Sequence, residues 1–306
     1  MAKKKYNSNR EDFVGKIKLT ADTEPGKQKI NWFPGHMNKA LKDIKSKIKM
    51  VDLIIEVRDA RVPKHTGNPA MSELIGNKAK LIFFNKANLC DPKAITTWTQ
   101  WLEEQNITHL FGNILNPNDS KKLFNLAEKI VQDEYQKENP NEKKDKINLM
   151  IVGLPNTGKS TLINRIAKKN IAKAADKPGQ TRHQQWIKIT DNIQLLDTPG
   201  IMPPRIEERE HGLWLACIKA IPTHIVSDED SAFYLAQFFI QSNLSETQNF
   251  YELKEQYHEP IELLKAIGRK RGCLMKGGEV DLERVYRILL HDFRAGNLSK
   301  VCFELP

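Results

Sequence analysis

The sequence predicts an α/β domain with a mostly parallel, doubly wound sheet, followed by a second domain made of helices. Up to about residue 204, short apolar runs alternate with amphipathic segments, which is the pattern of repeated strand–helix units. Beyond that point, strand-like runs give way to helical periodicity near residues 231–241, 245–256, 260–270 and 281–293.

We expect three segments along the 306 residues. Residues 1–29 are basic and lack apolar periodicity, so they are expected to form a flexible extension. Residues 30–206 are expected to form the α/β domain and residues 207–306 the helical domain. Each of these two segments is long enough to bury its own core.

The elements of the α/β domain are predicted from the spacing of apolar residues. Strand candidates are mostly apolar runs, whereas helix candidates carry apolar residues on one helical face. We expect strands at residues 51–57, 80–84, 108–111, 147–152 and 193–196, and helices at residues 39–49, 71–75, 95–104, 121–135 and 161–167. In such sheets, ligands bind beyond the carboxyl ends of the strands, which is where the polar motifs fall.

The strongest motif lies between the strand at 147–152 and the helix at 161–167. Residues 153–161 have the sequence GLPNTGKST, which fits the phosphate-loop pattern G-x-x-x-x-G-K-[ST]. Glycines let backbone N–H groups converge on phosphates, and the helix N-terminus adds positive potential. Lys159 is expected to reach the β- and γ-phosphates, and the Ser160 hydroxyl to bind Mg²⁺. The nucleotide contacts expected from this loop are Pro155, Asn156, Thr157, Gly158, Lys159, Ser160 and Thr161.

A second phosphate-side motif, Asp-Thr-Pro-Gly at 197–200, follows an apolar strand candidate 38 residues after Lys159. An Asp at the end of a buried strand can hold Mg²⁺ through water, and the Gly200 amide can then meet a γ-phosphate. Between the two motifs, Thr181 lies in a polar loop and is the predicted switch residue that closes on Mg²⁺. The predicted magnesium ligands are Ser160, Thr181 and Asp197.

A base-recognition motif comes before the phosphate loop. Asn85-Lys86-Ala87-Asn88 resembles the N-K-x-D guanine motif of GTPases, with Asn88 where Asp is usual. A standard GTPase carries this motif after the phosphate loop, so the order here predicts a circularly permuted GTPase domain. The polar residues 136–146 are the expected join. Asn113 is a second expected contact with the base.

With these motifs in hand, the chain resembles the bacterial ribosome-biogenesis GTPase A family from Ile30 to the C-terminus. The resemblance includes Trp-Phe-Pro-Gly-His-Met at 32–37, Asp-Ala-Arg-Val-Pro at 59–63 and Lys-Arg-Gly-Cys-Leu-Met at 270–275. It implies a permuted GTPase domain followed by a helical RNA-contacting domain, with GTP and GDP as ligands. It also implies late maturation of the large (50S) ribosomal subunit, with hydrolysis stimulated by that particle.

The group that positions the attacking water is not the usual one. Many GTPases place a Gln directly after D-x-x-G, whereas this chain has Ile201, whose side chain forms no hydrogen bond with water. The resemblance suggests that the Pro-Gly-His motif supplies this function, so His36 joins Lys159 and Thr181 as a predicted catalytic residue. A structural or RNA-contacting role for His36 is the alternative.

Two asparagines modify the expected chemistry. Asn156 resembles the residue at this position in GTPases that use K⁺ as an accelerating ion; an Asn that only stabilises the turn is the alternative. Asn88 offers guanine one acceptor and one donor, where an Asp offers two acceptors. One donor of guanine is therefore mismatched, and we expect a weakened affinity for guanine nucleotides.

The net charge of +10 is concentrated near the start of the chain, because residues 1–49 contain 13 Lys/Arg and 5 Asp/Glu. A basic, flexible arm suits a polyanion such as rRNA, although it can also act only as a solvated tail. Arg269-Lys270-Arg271 forms a second basic cluster, which suits either rRNA phosphates or the C-terminal dipole of a helix.

Composition also sets expectations about location. No apolar run approaches the roughly 20 residues that span a bilayer, and the first residues lack an apolar signal core. The four cysteines lack metal-ligand spacing and fit reduced thiols. We therefore expect a cytoplasmic monomer without membrane contact.

Several functional hypotheses remain open from the sequence. The first is a GTP-hydrolysing assembly factor, and the second is a nucleotide-gated rRNA-binding module with negligible hydrolysis of its own, which Asn88 and Ile201 keep open. A permuted GTPase of the small subunit is disfavoured because no zinc-site spacing or clear all-β segment is present. An ATPase is disfavoured because Asn85-Lys86 has no role in recognising adenine.

Overall fold

The computed structural model describes residues 30–31, 42, 44–173, 186–196, 198, 205–206, 208–242 and 245–306. The chain divides into two compact units. The sheet unit contains Phe33–Pro204 with Val301–Pro306, and the helical unit contains Met1–Trp32 with Arg205–Lys300. The last residues of the chain thus belong to the sheet unit, and the domain limits inferred from the sequence stay a prediction.

The strands of the described residues are, in chain order, β1 (Ile30–Asn31), β2 (Leu53–Asp59), β3 (Lys80–Asn85), β4 (His109–Phe111), β5 (Ile147–Val152), β6 (Trp186–Lys188), β7 (Ile193–Leu196) and β8 (Arg205–Ile206). The main sheet has the order β4-β3-β2-β5-β7-β6. Its neighbours are parallel except for β6, which runs antiparallel to β7. The mostly parallel sheet confirms the predicted fold class.

The helices of the described residues are, in chain order, α1 (Pro69–Ile75), α2 (Pro92–Glu104), α3 (Pro117–Glu138), α4 (Lys159–Lys173), α5 (Arg209–Cys217), α6 (Asp228–Ser242), α7 (Ser245–Phe250), α8 (Pro260–Lys270) and α9 (Leu282–Ala295). Helices α1, α2 and α3 begin in the same way, with an Asn or Asp side chain that accepts a backbone N–H and with Pro in the first turn. The two features explain where these helices start. The Asn or Asp side chain satisfies a free backbone N–H group, and the proline presets a helical φ. Within the described ranges, no helix is long and apolar enough to cross a membrane.

Alternate residues of the central strands bury into opposite faces of the sheet. Leu53, Ile55 and Val57 of β2 pack into a cluster with Leu123 of α3, whereas Ile54 packs into a separate cluster on the other side. Burial on both faces is what a parallel sheet with helices on each side requires. It places the carboxyl ends of β2, β3 and β5 together at one edge.

The expected join of the permutation folds back on α3. The side chain of Gln132 pairs with the backbone of Lys144 in both directions, at 2.9 and 3.0 Å. The Lys144 ammonium also lies 3.3 Å from the Asp52 carboxylate, just before β2. The join is therefore anchored to the sheet unit at both the helix and the strand.

Several elements of the helical unit differ from the sequence-based expectation. Helix α5 was not predicted because Gly212 to Cys217 are all buried, so the segment has no polar face to reveal its period. Helix α7 ends earlier than residue 256, because Glu252 adopts a left-handed φ of 53° and the Leu253 N–H returns to the Gln248 carbonyl at 2.9 Å. The antiparallel pair of β1 and β8 was too short to be predicted.

Helices α8 and α9 approach closely at Gly268. A Cβ at this position would lie 2.4 Å from Val280 Cγ1 and 2.7 Å from Val285 Cγ2. Valine side chains are stiff, so they cannot swing away from an added methyl group. The contact between the two helices therefore requires glycine.

We expect Gly268→Ala to lower the free energy of unfolding by about 1–2 kcal/mol, the overpacking penalty less the gain in helix propensity. In the double variant Gly268→Ala/Val280→Ala, the loss of stability should be smaller than the sum of the losses in the two single variants, because the shorter side chain at 280 makes room for the added methyl group. Urea denaturation followed by circular dichroism measures the change, and Glu262→Ala on the exposed face of α8 is the control. A free energy of unfolding equal to that of the wild type in Gly268→Ala would contradict the close contact.

Candidate nucleotide-binding site

The phosphate loop follows β5 and leads into α4, as predicted. Gly153 has a φ of 145°, and a Cβ there would lie 2.3 Å from the Val57 carbonyl oxygen of β2. Gly158 has a φ of 113°, and its Cβ would lie 2.1 Å from Asn85 Nδ2. Both positions therefore require glycine for two reasons, the backbone conformation and the lack of space. Asn156 also takes a left-handed φ, of 59°.

The side chain of Lys159 folds back onto the backbone of the phosphate loop. Lys159 is 5% exposed, and its Nζ donates to the Leu154 carbonyl at 2.7 Å. The Thr157 hydroxyl donates to the same carbonyl at 2.9 Å. Ser160 and Thr161 are exposed in the first turn of α4, where the helix N-terminus favours an anion. The exposed hydroxyl of Ser160 is a hard oxygen ligand of the kind that Mg²⁺ prefers.

Asn85 connects three loops at the carboxyl edge of the sheet. It is buried, its Nδ2 donates to the Thr157 carbonyl at 2.7 Å, and its Oδ1 accepts the Ile114 N–H at 2.9 Å. The sequence predicted Asn85 as a nucleotide contact. In the structure its amide also fixes the base loop, the phosphate loop and the loop after β4 relative to one another.

Lys86 provides a second bridge between the base loop and the phosphate loop. Its Nζ donates to the Asn156 carbonyl at 2.8 Å and to Asp59 Oδ2 at 2.9 Å. The backbone of Lys86, directly after β3, is left-handed, with a φ of 62°. The two motifs that the permutation separates in the chain are therefore in direct contact.

Asp59 is a residue of this site to which the sequence assigned no role. It is fully buried at the end of β2, where Arg61 contacts both carboxylate oxygens, Nε at 2.9 Å and Nη2 at 2.8 Å. Burial by itself raises the pKa of Asp59, but the charges of Arg61 and Lys86 outweigh it and hold that pKa well below its usual range. The sequence contained a signal for this ion pair, because Asp59 and Arg61, which have opposite charges, lie two positions apart at the end of a strand.

The two expected base contacts differ in availability. Asn88 is exposed in a short 3-10 helix, Ala87–Leu89, directly after the base motif. Asn113 accepts the Leu115 N–H through Oδ1 at 2.9 Å, so its amide oxygen already caps its own loop. The structure thus leaves Asn88 accessible for a base, and both assignments stay predictions.

Several predicted site residues lie outside the described residues, namely His36, Thr181, Asp197, Gly200 and Ile201. The basic extension at residues 1–29 also lies outside them. Within the Asp-Thr-Pro-Gly motif, Thr198 is described: it is buried, and its hydroxyl donates to the Ile151 carbonyl of β5. This contact ties the motif to the strand that delivers the phosphate loop.

The sheet, the phosphate loop and the preceding base loop define a circularly permuted P-loop GTPase. A family described as "50S ribosome-binding GTPase" matches residues 148–265. Ribosome biogenesis GTPase A of Bacillus pumilus is 37% identical over 90% of this chain and 99% of its own length. Mitochondrial ribosome-associated GTPase 1 of Mus musculus is 33% identical over 91% of each chain. The chain belongs to the ribosome biogenesis GTPase A family, which confirms the resemblance and the GTPase activity.

Solved structures agree with this assignment. The GNP-bound structure of YlqF from T. maritima is 26% identical, with a TM-score of 0.61 over 88% of this chain and 98% of that chain. The GDP-bound YlqF structure is 25% identical, with a TM-score of 0.59 over 86% of this chain and 99% of that chain. GTPases of this class act with Mg²⁺, which suits the hydroxyl of Ser160.

We expect Gly158→Ala to weaken GDP binding by about tenfold to a hundredfold, because the methyl group displaces Asn85 from the phosphate loop. Titration with a fluorescent GDP analogue measures the affinity. Gly76→Ala is the matched control: Gly76 also has a positive φ, 56°, but a Cβ there meets nothing within 4 Å. Similar GDP affinities in the two variants would contradict a specific role for the Gly158–Asn85 approach.

Proposed function

We propose that this protein is a GTP-hydrolysing assembly factor for late maturation of the large (50S) ribosomal subunit. It binds the subunit precursor and its rRNA in the GTP state and leaves after hydrolysis. The observation that carries the proposal is the double bridge from Asn85 and Lys86 to the phosphate loop, which supports a guanine-nucleotide site at this edge of the sheet. The relatives' names and the family description support the choice of the ribosome and of its large subunit. We also propose that it acts as a cytoplasmic monomer.

The proposed chemistry starts from the resting position of Lys159. When GTP binds, its β- and γ-phosphates compete with the Leu154 carbonyl for the Lys159 ammonium, and backbone N–H groups at the start of α4 face the same charge. Ser160 and the predicted residues Thr181 and Asp197 would hold Mg²⁺, which supplies positive charge at the γ-phosphate. These groups bind and orient the phosphates, while the Gly200 amide is proposed to meet the γ-phosphate.

We propose that His36 positions the attacking water, since Ile201 has no hydrogen-bonding group. A neutral imidazole can accept a hydrogen bond from water near pH 7. We further propose that Asn156 contributes a side-chain oxygen to a K⁺ ion near the phosphates. Its exposed position at the tip of the phosphate loop supports this role.

Contacts with rRNA are proposed for the basic extension and for the end of α8. The basic residues Arg269, Lys270 and Arg271 at that helix end differ in how their side chains contact the rest of the helical unit. The Arg271 guanidinium lies 4.7 Å from the centre of the Phe250 ring and 3.3 Å from Asp292 Oδ2, so it supports packing within the helical unit. Arg269 and Lys270 are exposed and are the better candidates for phosphate contacts.

We expect purified large ribosomal subunits to accelerate GTP turnover by at least about tenfold, because the water-positioning group is not supplied by the usual Gln. The measurement is phosphate release with large subunits, with small subunits or alone, in K⁺ and in Na⁺ at fixed Mg²⁺. Faster turnover in K⁺ supports the role of Asn156. Stimulation by small subunits only would contradict the proposal, whereas GTP-dependent binding without turnover would favour the nucleotide-gated rRNA-binding module.

We expect Asn88→Asp to tighten GDP and GTP binding by roughly tenfold, because the carboxylate accepts hydrogen bonds from both guanine N–H donors. The variant should lose relative affinity for xanthine nucleotides, whose C2 carbonyl faces the carboxylate. Competition against a fluorescent nucleotide measures both affinities. The control is Asn106→Asp, which adds the same charge at another exposed position. Equal GTP affinity in Asn88→Asp and the wild type would contradict the base-pairing explanation.

A further inference from the structure

The last six residues of the chain contact both loops that carry the base-side machinery. We call Val301–Pro306 the C-terminal strap. The Val301 N–H donates to the Leu89 carbonyl, just after the base motif, at 3.3 Å. Phe303 is fully buried, and its N–H donates to the Arg61 carbonyl, just after β2, at 2.9 Å. The strap therefore joins the base loop to the loop that holds Asp59.

Glu304 makes the most concentrated set of contacts in the strap. It is 6% exposed, and one carboxylate oxygen accepts the backbone N–H groups of Lys64 and His65. The other oxygen contacts His65 Nδ1. The Glu304 carbonyl accepts the Trp98 indole N–H at 3.0 Å, which fixes the strap against α2. A buried carboxylate with this many donors is held in one position.

The loop that Glu304 binds is the one that positions Asp59. This loop closes on itself, because the Asp59 N–H donates to the Thr66 hydroxyl at 3.1 Å and that hydroxyl donates to the Val62 carbonyl. Lys64 and His65 lie inside the same closed loop. Glu304 therefore binds the backbone of a loop that begins at Asp59, and the Asp59 carboxylate accepts a hydrogen bond from the Lys86 ammonium.

We infer that the C-terminal strap is a positioning element for the bound guanine nucleotide and that Glu304 is its principal residue. Contacts run from Glu304 to the loop of residues 59–66, from Asp59 to Lys86, and from Lys86 to the phosphate loop at Asn156. Releasing the strap loosens Asp59, which leaves the Lys86 side chain free to swing away from the phosphate loop. Nucleotide then leaves faster. This inference rests on the proposed function, because it concerns the same guanine site.

The test measures how fast a fluorescent GDP analogue leaves the full-length protein. Glu304→Ala is expected to speed release by about tenfold, as expected for the loss of charge-assisted hydrogen bonds. Glu304→Gln keeps an acceptor for the two backbone N–H groups and should recover most of the slow release. The control is Leu305→Ala, which changes an exposed side chain of the strap and keeps the Glu304 peptide carbonyl that Trp98 contacts. His65→Ala, which leaves the strap unchanged, is a milder second variant with an expected effect of about threefold.

A double-mutant cycle separates positioning from general stability. If Glu304 acts through Lys86, then Glu304→Ala should cause little further acceleration in a Lys86→Ala background. A merely structural role would instead lower the unfolding temperature without nucleotide and leave the GDP release rate of Glu304→Ala and His65→Ala unchanged, which overturns the inference. The same tenfold acceleration in the Lys86→Ala background also overturns it. Failure of the proposed function has a different signature, since the wild type itself would then not retain GDP or respond to large subunits.

Discussion

The nucleotide edge of the sheet depends on one buried negative charge. A fully buried carboxylate is strongly unfavourable unless cations and hydrogen bonds surround it, and Asp59 obtains them from Arg61 and Lys86. Arg61 is close in sequence, so the first pair forms with the turn after β2. Lys86 comes from the end of the neighbouring strand, so the second pair forms only when β2 and β3 are in register. The base loop and the loop after β2 therefore become ordered together.

This dependence explains why a permuted chain still builds a GTPase site. The contacts that define the site, Asn85 to Thr157 and Lys86 to Asn156, are made through space between strand ends and do not need a particular chain order. What the permutation requires is a join that does not disturb the strands. The join at residues 136–146 meets this requirement, because α3 continues into it and Lys144 returns the chain to Gln132 and Asp52. Cutting and rejoining a chain is tolerated where few site contacts cross the new connection.

Much of the fold followed from the sequence because the relevant signals are local. Strand β5 is marked by a continuous apolar run, and the phosphate loop by its glycines. Helix α8 is marked by the helical spacing of its apolar residues and by a proline in its first turn. Helix α5 was missed because a helix that is buried on all sides has no period to detect. The same limit applies to the site: Lys159 and Ser160 were found by motif, whereas the roles of Asp59 and Glu304 arise from partners that no local pattern connects. Glu304 and His65 are 239 positions apart, and only the folded sheet brings them together.

The way in which the strap is attached to the sheet unit has a physical consequence for nucleotide exchange. A segment that is held by few contacts opens locally at low free energy. The strap contacts the base-side loops through a short set of hydrogen bonds and one buried ring, whereas the strands that deliver the loops lie in the core of the sheet. Opening the strap therefore costs less than disturbing β2 or β3. Loosening the strap acts on the base side of the site and leaves the sheet and the phosphate loop intact for the next nucleotide.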